Sequence, residues 1–244
     1  MYEVRTKKVK KYITCAIFVL VISMLVGCTP KQTDTSSNNN ESTAVLTNVS
    51  GEDSLKLLED GDARFIAAKT TTKDFSTEKR SDLSNNGQTP FAVIVSCSDS
   101  RVPPEEIFDQ GLGDLFVIRV AGNVIDPVTL GSIEYGVEHL NSQLVVVMGH
   151  EKCGAVKAAL DGGEAAGSIG SIVEKIQPSV EIARATGASD TDLYDKAVEE
   201  NIKNSIAEIE KSPIVEELVA AGKLKIVGAR YDLDTGKVEY LPEV

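Results

Sequence analysis

Positive charge is scarce in this chain: 25 lysines and arginines stand against 37 aspartates and glutamates, a net charge of -12. Nucleic-acid binding through phosphate neutralisation draws its affinity from such cations, so that class of function is excluded and no nucleic-acid partner is expected. An acidic surface serves solubility. Tryptophan is missing and histidine occurs only as His139 and His150. No internal repeat is present, which excludes a solenoid or a propeller. The apolar run Tyr12 to Val26, broken by Thr14, Cys15 and Ser23, is shorter than the ~20 residues that span a bilayer. At 244 residues the chain suits one domain with an appended leader better than two full-sized domains.

What is present begins with that leader. Arg5, Lys7, Lys8, Lys10 and Lys11 precede the apolar run, and Gly27-Cys28 follows it, the charged, apolar and small-residue order of a secretory signal. Leu25-Val26-Gly27-Cys28 resembles the lipobox of bacterial lipoproteins. That resemblance implies a signal peptide over 1–27, lipidation (palmitate) of Cys28, and a domain exported and anchored to the bacterial cell membrane on its extracytoplasmic side. An uncleaved anchor and a plain secretory signal are the rivals. Lipoprotein processing supplies at least the two lipid signals that stable anchoring takes. Residues 28–50, rich in Thr, Ser and Asn, cannot bury enough surface to offset ordering and read as a flexible tether with a reach of about 25 Å. The folded domain is expected over 51–244.

Within it, Phe91 to Val95, Leu115 to Ile118 and Leu144 to Met148 are the short continuous apolar runs of doubly covered parallel strands. Leu224 to Val227 reads as a fourth strand, and Asp234-Thr235-Gly236 as a turn into an antiparallel edge strand over Lys237 to Tyr240. Helices are expected over Ser54 to Lys69, Thr129 to Leu140, Ala155 to Leu160, Ser171 to Ala185 and Asp192 to Lys211. Strands alternating with helices predict an α/β fold: a central, mostly parallel sheet of four strands plus an antiparallel edge strand, flanked by helices. In such sheets ligands sit beyond the carboxyl ends of the strands, where Cys97 follows the first apolar run and His150 with Cys153 follows the third.

Of the 4 cysteines, Cys15 falls in the leader and Cys28 is the lipidation candidate, leaving Cys97 and Cys153. In an exported protein such a pair suggests a disulfide. His150 points elsewhere: His150 and Cys153, three apart where a strand turns into a helix, can share a helix face. With Cys97 they make the three protein ligands of a catalytic zinc, which leaves a fourth position open. In extended backbone Cys97, Asp99 and Arg101 project to one side, and an Asp beside an Arg stays ionised and oriented by the guanidinium fork. His139 reads as a surface residue.

Ser96-Cys97-Ser98-Asp99-Ser100-Arg101-Val102-Pro103, then Gly113 to Asn123, Ser132 to Tyr135 and Gly149-His150-Glu151-Lys152-Cys153-Gly154 resemble the β-class carbonic anhydrases in order and spacing, over nearly the whole domain. The resemblance implies one Zn²⁺ per chain on Cys97, His150 and Cys153. It implies reversible hydration of CO₂ to bicarbonate and a proton, a hydro-lyase reaction in which zinc-bound hydroxide is oriented by an Asp99–Arg101 dyad. Asp99 bound to zinc would close the site. Members that close it carry a Trp where this chain has Ile94, whereas Gln88 matches a substrate-binding Gln of the open, plant-like subgroup, so the open state is expected. Phe116 and Tyr135 would line a substrate cleft shared with a neighbouring subunit, which requires at least a homodimer, and the Gly154 amide would support bicarbonate. Hydrolysis of COS or CS₂ on the same zinc, or a non-catalytic surface zinc-binding module, are the alternatives.

Overall fold

The computed structural model describes residues 49–242. The expected signal over 1–27, Cys28 and nearly all of the tether lie outside the described residues. The first helix, α1 (Gly51–Ile66), starts where the Ser50 hydroxyl accepts from the Asp53 amide at 3.1 Å, an N-cap that satisfies one orphan donor of the first turn.

Five strands form one sheet: β1 (Ala92–Ser96), β2 (Leu115–Arg119), β3 (Leu144–His150), β4 (Lys225–Tyr231) and β5 (Val238–Tyr240). Their order is β2-β1-β3-β4-β5, with the first four parallel and β5 antiparallel to β4, the architecture expected from the alternating runs. Every residue of β1 and β3 is buried, which is why Ala92–Val95 and Leu144–Met148 are continuously apolar rather than alternating. Side chains alternate across the sheet. Val93, Val95, Val145 and Val147 pack on one face with Val156, Ile176 and Ile202, while Ile94, Leu144, Val146 and Met148 pack on the other with Leu58, Ile107 and Phe108.

The helices after α1 are α2 (Thr77–Asn86), α3 (Pro104–Ile107), α4 (Pro127–Glu134), α5 (Gly154–Asp161), α6 (Ile169–Ala185), α7 (Asp190–Glu210) and α8 (Pro213–Ala220). The helix expected over Thr129 to Leu140 divides: α4 ends at Glu134 and a π-turn carries Tyr135 to His139. Helix α2 escapes the periodicity argument because it buries no residue, so its sequence has no apolar stripe. Helix α8, where no helix was expected, starts with Ser212 capping the Val215 amide and Pro213 in the first turn, the preferred first-turn place for proline.

Two contacts tie α1 to the segment that ends α3. A Cβ on Gly61 would lie 1.8 Å from the Phe108 carbonyl oxygen, so only glycine permits that approach. Next to it the buried Asp109 carboxylate accepts from Arg64 Nε at 2.5 Å, from the Thr71 amide at 3.0 Å, and from Lys73. Burial pushes that carboxyl up, but the bonds from Lys73, Arg64 and Thr71 outweigh it and hold the group below its usual range.

Candidate active site

Strands β1 and β3 pair in parallel from Val93–Val145 to Ser96–Met148. The chain leaving β1 at Cys97 and the chain ending β3 at His150 therefore emerge side by side. With β2 on the far flank of β1, the crossovers reverse direction at the β1/β3 boundary, the switch point where open α/β sheets bind ligands.

Cys97, His150 and Cys153 meet there. All three are buried, at 5%, 0% and 1% exposure, and their ligating atoms lie within 4.8 Å of one another. His150 Nδ1 donates to the Glu151 carbonyl at 2.7 Å, which leaves a lone pair on Nε2. That Nε2 is buried without a hydrogen-bond partner, and such atoms are rare unless something else satisfies them. Both cysteines are free thiols. The neighbouring Cys153 thiol pushes Cys97 down to about 4, helped by the Gly122 amide, against its own burial. Cys153 is pushed up by the neighbouring Cys97 sulfur and by desolvation. A metal cation held by both sulfurs would displace the proton that remains on the pair. Two thiolates and an imidazole with a free lone pair are the donor set that suits zinc.

The route by which these residues meet differs from the expectation in two places. His150 and Cys153 do not share a helix face: His150 ends β3, and Cys153 caps α5 from outside it. A tight turn joins them, with Lys152 at φ 53°, a left-handed conformation uncommon in a residue with a side chain. Nor does extended alternation align Cys97, Asp99 and Arg101. Strand β1 stops at Ser96, and the Val102 amide closes a turn on the Asp99 carbonyl at 3.0 Å. The turn wraps Arg101 around Asp99: Oδ1 accepts from the Arg101 amide and Nε at 2.9 Å each, and Oδ2 accepts from Nη2 at 2.7 Å. The Arg101 guanidinium holds the Asp99 carboxyl well below the usual carboxylate range, against partial burial. Asp99 Oδ2 is also 3.8 Å from His150 Nε2, so the carboxylate stands at the edge of the thiol–imidazole group.

Two residues that sequence reasoning did not single out for the site hold it from outside. Arg119, the last residue of β2, bonds the carbonyls of Cys97 and Asp99. Tyr194 on α7 donates its hydroxyl to the Cys153 carbonyl at 2.6 Å. Arg119 lay inside a quoted motif, just past the strand expected over Leu115 to Ile118, and was given no role, whereas Tyr194 carried no signal. Gly122, at φ 70°, donates its amide to Cys97 Sγ at 3.3 Å, and a Cβ there would come within 2.7 Å of Ile176; both features favour glycine.

The remaining expected residues divide. Gly154 opens α5 directly after Cys153. Phe116 and Tyr135 lie together, ring centroids 6.1 Å apart, but Phe116 pairs with Val93, four residues before Cys97 and about 13 Å away along the strand at ~3.3 Å per residue. Gln88 is exposed before β1. These three are therefore not brought to the Cys97 group of their own chain. His139 is exposed, its ring 5.2 Å from that of Tyr135, consistent with a surface role.

Comparison with known proteins agrees with this geometry. The carbonic anhydrase family model matches residues 92–238, which contain all five site residues from Cys97 to Cys153. Carbonic anhydrase 2 of Mycobacterium tuberculosis is 46% identical over 187 residues, 75% of this chain and 88% of that protein. Among solved structures, a tetrameric β-carbonic anhydrase of Sordaria macrospora superposes with a TM-score of 0.61 at 26% identity, covering 67% of this chain and 88% of its own. The Coccomyxa β-carbonic anhydrase bound to acetazolamide gives 0.61 at 32% identity, covering 67% and 78%.

Proposed function

The chain belongs to the β-class carbonic anhydrases, and from that membership we propose that Cys97, His150 and Cys153 hold one zinc ion per chain and that Asp99 and Arg101 direct the hydration of CO₂ beside it. The observation that carries the assignment is the buried, unpartnered His150 Nε2 facing two thiols. Zinc held there would acidify water to a nucleophile near neutral pH. The protein's own part is placement. Asp99, kept ionised by Arg101, accepts a hydrogen bond from the attacking oxygen and turns its lone pair toward CO₂. Arg101 carries no proton in the reaction; its three bonds fix Asp99. Because those bonds turn the carboxylate toward the guanidinium, and because Asp99 lies outside the close Cys–His–Cys group, the resting state is the open one.

A second copy completes the cleft. Gln88, Phe116 and Tyr135 lie far from their own chain's thiols, yet Tyr135 is 48% exposed and Gln88 is exposed too, so a homodimer or larger assembly in which a neighbour supplies these residues fits that exposure and the tetrameric relatives. The leader reading makes the enzyme a lipoprotein anchored through Cys28 to the outside of a bacterial cell membrane. Detergent-phase partitioning of the expressed protein should be lost in Cys28→Ala; an unchanged partition would remove the anchor. The function itself is tested on purified protein by CO₂ hydration and zinc content together. About one zinc per chain and activity that a chelator abolishes are expected. Zinc without CO₂ activity would refute the reading in favour of another substrate or a binding module, and absence of both zinc and free thiols would refute the metal site.

A further inference from the structure

We infer that Arg119 is a positioning residue for the reaction, holding the loop that carries Cys97 and Asp99 in one register; the inference rests on the function proposed above. The last ladder bond between β2 and β1 runs from the Val120 amide to the Ser96 carbonyl at 3.1 Å. Beyond it, β2 turns away through Ala121–Asn123, and its next amide into the site, Gly122, goes to the Cys97 sulfur instead. The continuation of β1 is left without a neighbouring strand, and its carbonyls need other donors.

Arg119 stands opposite Ser96 in the register and supplies them. Its Nε donates to the Cys97 carbonyl at 3.2 Å and its Nη2 to the Asp99 carbonyl at 2.6 Å. A guanidinium presents its donors in a rigid planar fork, so the two bonds fix the spacing between a residue that contributes a sulfur to the metal group and the residue whose carboxylate faces it. Asp99 is then gripped at both ends, by Arg101 at the carboxylate and by Arg119 and the Val102 amide at the carbonyl. Among the described residues no carboxylate pairs with Arg119, although its side chain is exposed at the sheet edge. Its donors serve the site loop rather than a surface ion pair.

The margin that this grip protects is small. Asp99 Oδ2 lies 3.8 Å from His150 Nε2, so loosening the loop changes how far the carboxylate reaches over the thiol–imidazole group. Misplacement of a reacting group by about 1 Å can cost 10²-fold in rate. Lysine could reach one carbonyl as a point charge but could not brace both.

The experiment compares wild type, Arg119→Gln and Arg119→Lys as full-length protein. It measures kcat and KM for CO₂, zinc per chain, thermal midpoint, and the visible spectrum of the Co²⁺-substituted forms. For Arg119→Gln, kcat should fall about 10²-fold with KM little changed, as for an interaction that acts in the transition state. Zinc content and midpoint should stay near wild type, and the cobalt–thiolate bands should shift, with Arg119→Lys intermediate. A wild-type kcat in the Gln variant, or a kcat loss proportional to lost zinc or lost folded protein, would overturn the positioning role. If the Gln variant does not fold, the Lys variant decides by the same criteria. If wild type itself shows no CO₂ activity, the proposed function fails separately, and an unchanged Co²⁺ spectrum in the variants is then what overturns this inference.

Discussion

Cys153→Ser should yield a folded protein that holds no zinc and hydrates no CO₂ above background. The two halves of that expectation rest on different physics. Cys153 sits at the N-cap of α5, with its carbonyl accepting from the Lys157 amide at 3.0 Å and from the Tyr194 hydroxyl at 2.6 Å. Those backbone bonds survive the change, and serine is among the preferred N-cap residues, so the helix start is kept. The metal is another matter. A serine hydroxyl stays protonated and neutral where the thiolate is a charged, soft ligand, and even the four-ligand structural zinc sites of zinc fingers draw on the order of 10–16 kcal/mol from their full ligand set. Losing one of three ligands should weaken zinc by several orders of magnitude. The check is zinc per chain by elemental analysis beside CO₂ hydration and far-ultraviolet circular dichroism. A Ser variant that keeps stoichiometric zinc would show that Cys153 is not a ligand. His150→Ala should behave alike, since it removes the one imidazole whose free nitrogen is aimed at the group.

The sequence was most informative where one physical demand ruled a segment. Strands β1 and β3 are covered on both faces, so their valine and isoleucine runs could mean little else, and the Cys97 and His150 segments followed at the strand ends. The edge strand β5 was legible for a local reason: Asp232 accepts from the Asp234 and Thr235 amides at 2.8 and 2.9 Å, so the turn announces itself in Asp-Leu-Asp-Thr-Gly. What periodicity could not supply was the path of the backbone between ligands. Lys152 in a left-handed turn and the wrapped Asp99–Arg101 turn are tertiary solutions, and arguments from alternation or helical spacing named residues that do come together, but by a different geometry. The exposed helix α2 and the braces at Arg119 and Tyr194 were hidden for a related reason. A residue that acts by bonding a distant carbonyl needs only reach and a donor, which leaves no pattern along the chain.

Asp99→Ala separates the two functions proposed for the site, because it should leave zinc in place while removing the carboxylate assigned to orient the nucleophile. The carboxylate is outside the close Cys97–His150–Cys153 group, so zinc content should match wild type within error. The rate should not. Positioned hydrogen-bond partners are worth about 10²–10³ in kcat, and with Arg101 left without its carboxylate nothing else among the described residues sits where Asp99 did. Asn is a poor substitute, since an amide turned toward Arg101 offers one acceptor where the carboxylate accepts three bonds. The pH profile adds a second constraint with a definite sign. Arg101 keeps Asp99 ionised well below the usual carboxylate range, so Asp99 does not titrate between pH 6 and 9. Any fall in wild-type activity toward acid in that range must come from another group. The residual activity of Asp99→Ala should therefore show the same acid limb at a lower plateau, in stopped-flow CO₂ hydration across that range. Disappearance of the limb in the variant, or loss of zinc with the carboxylate, would remove Asp99 from the role given to it and make it a ligand or a titrating base instead.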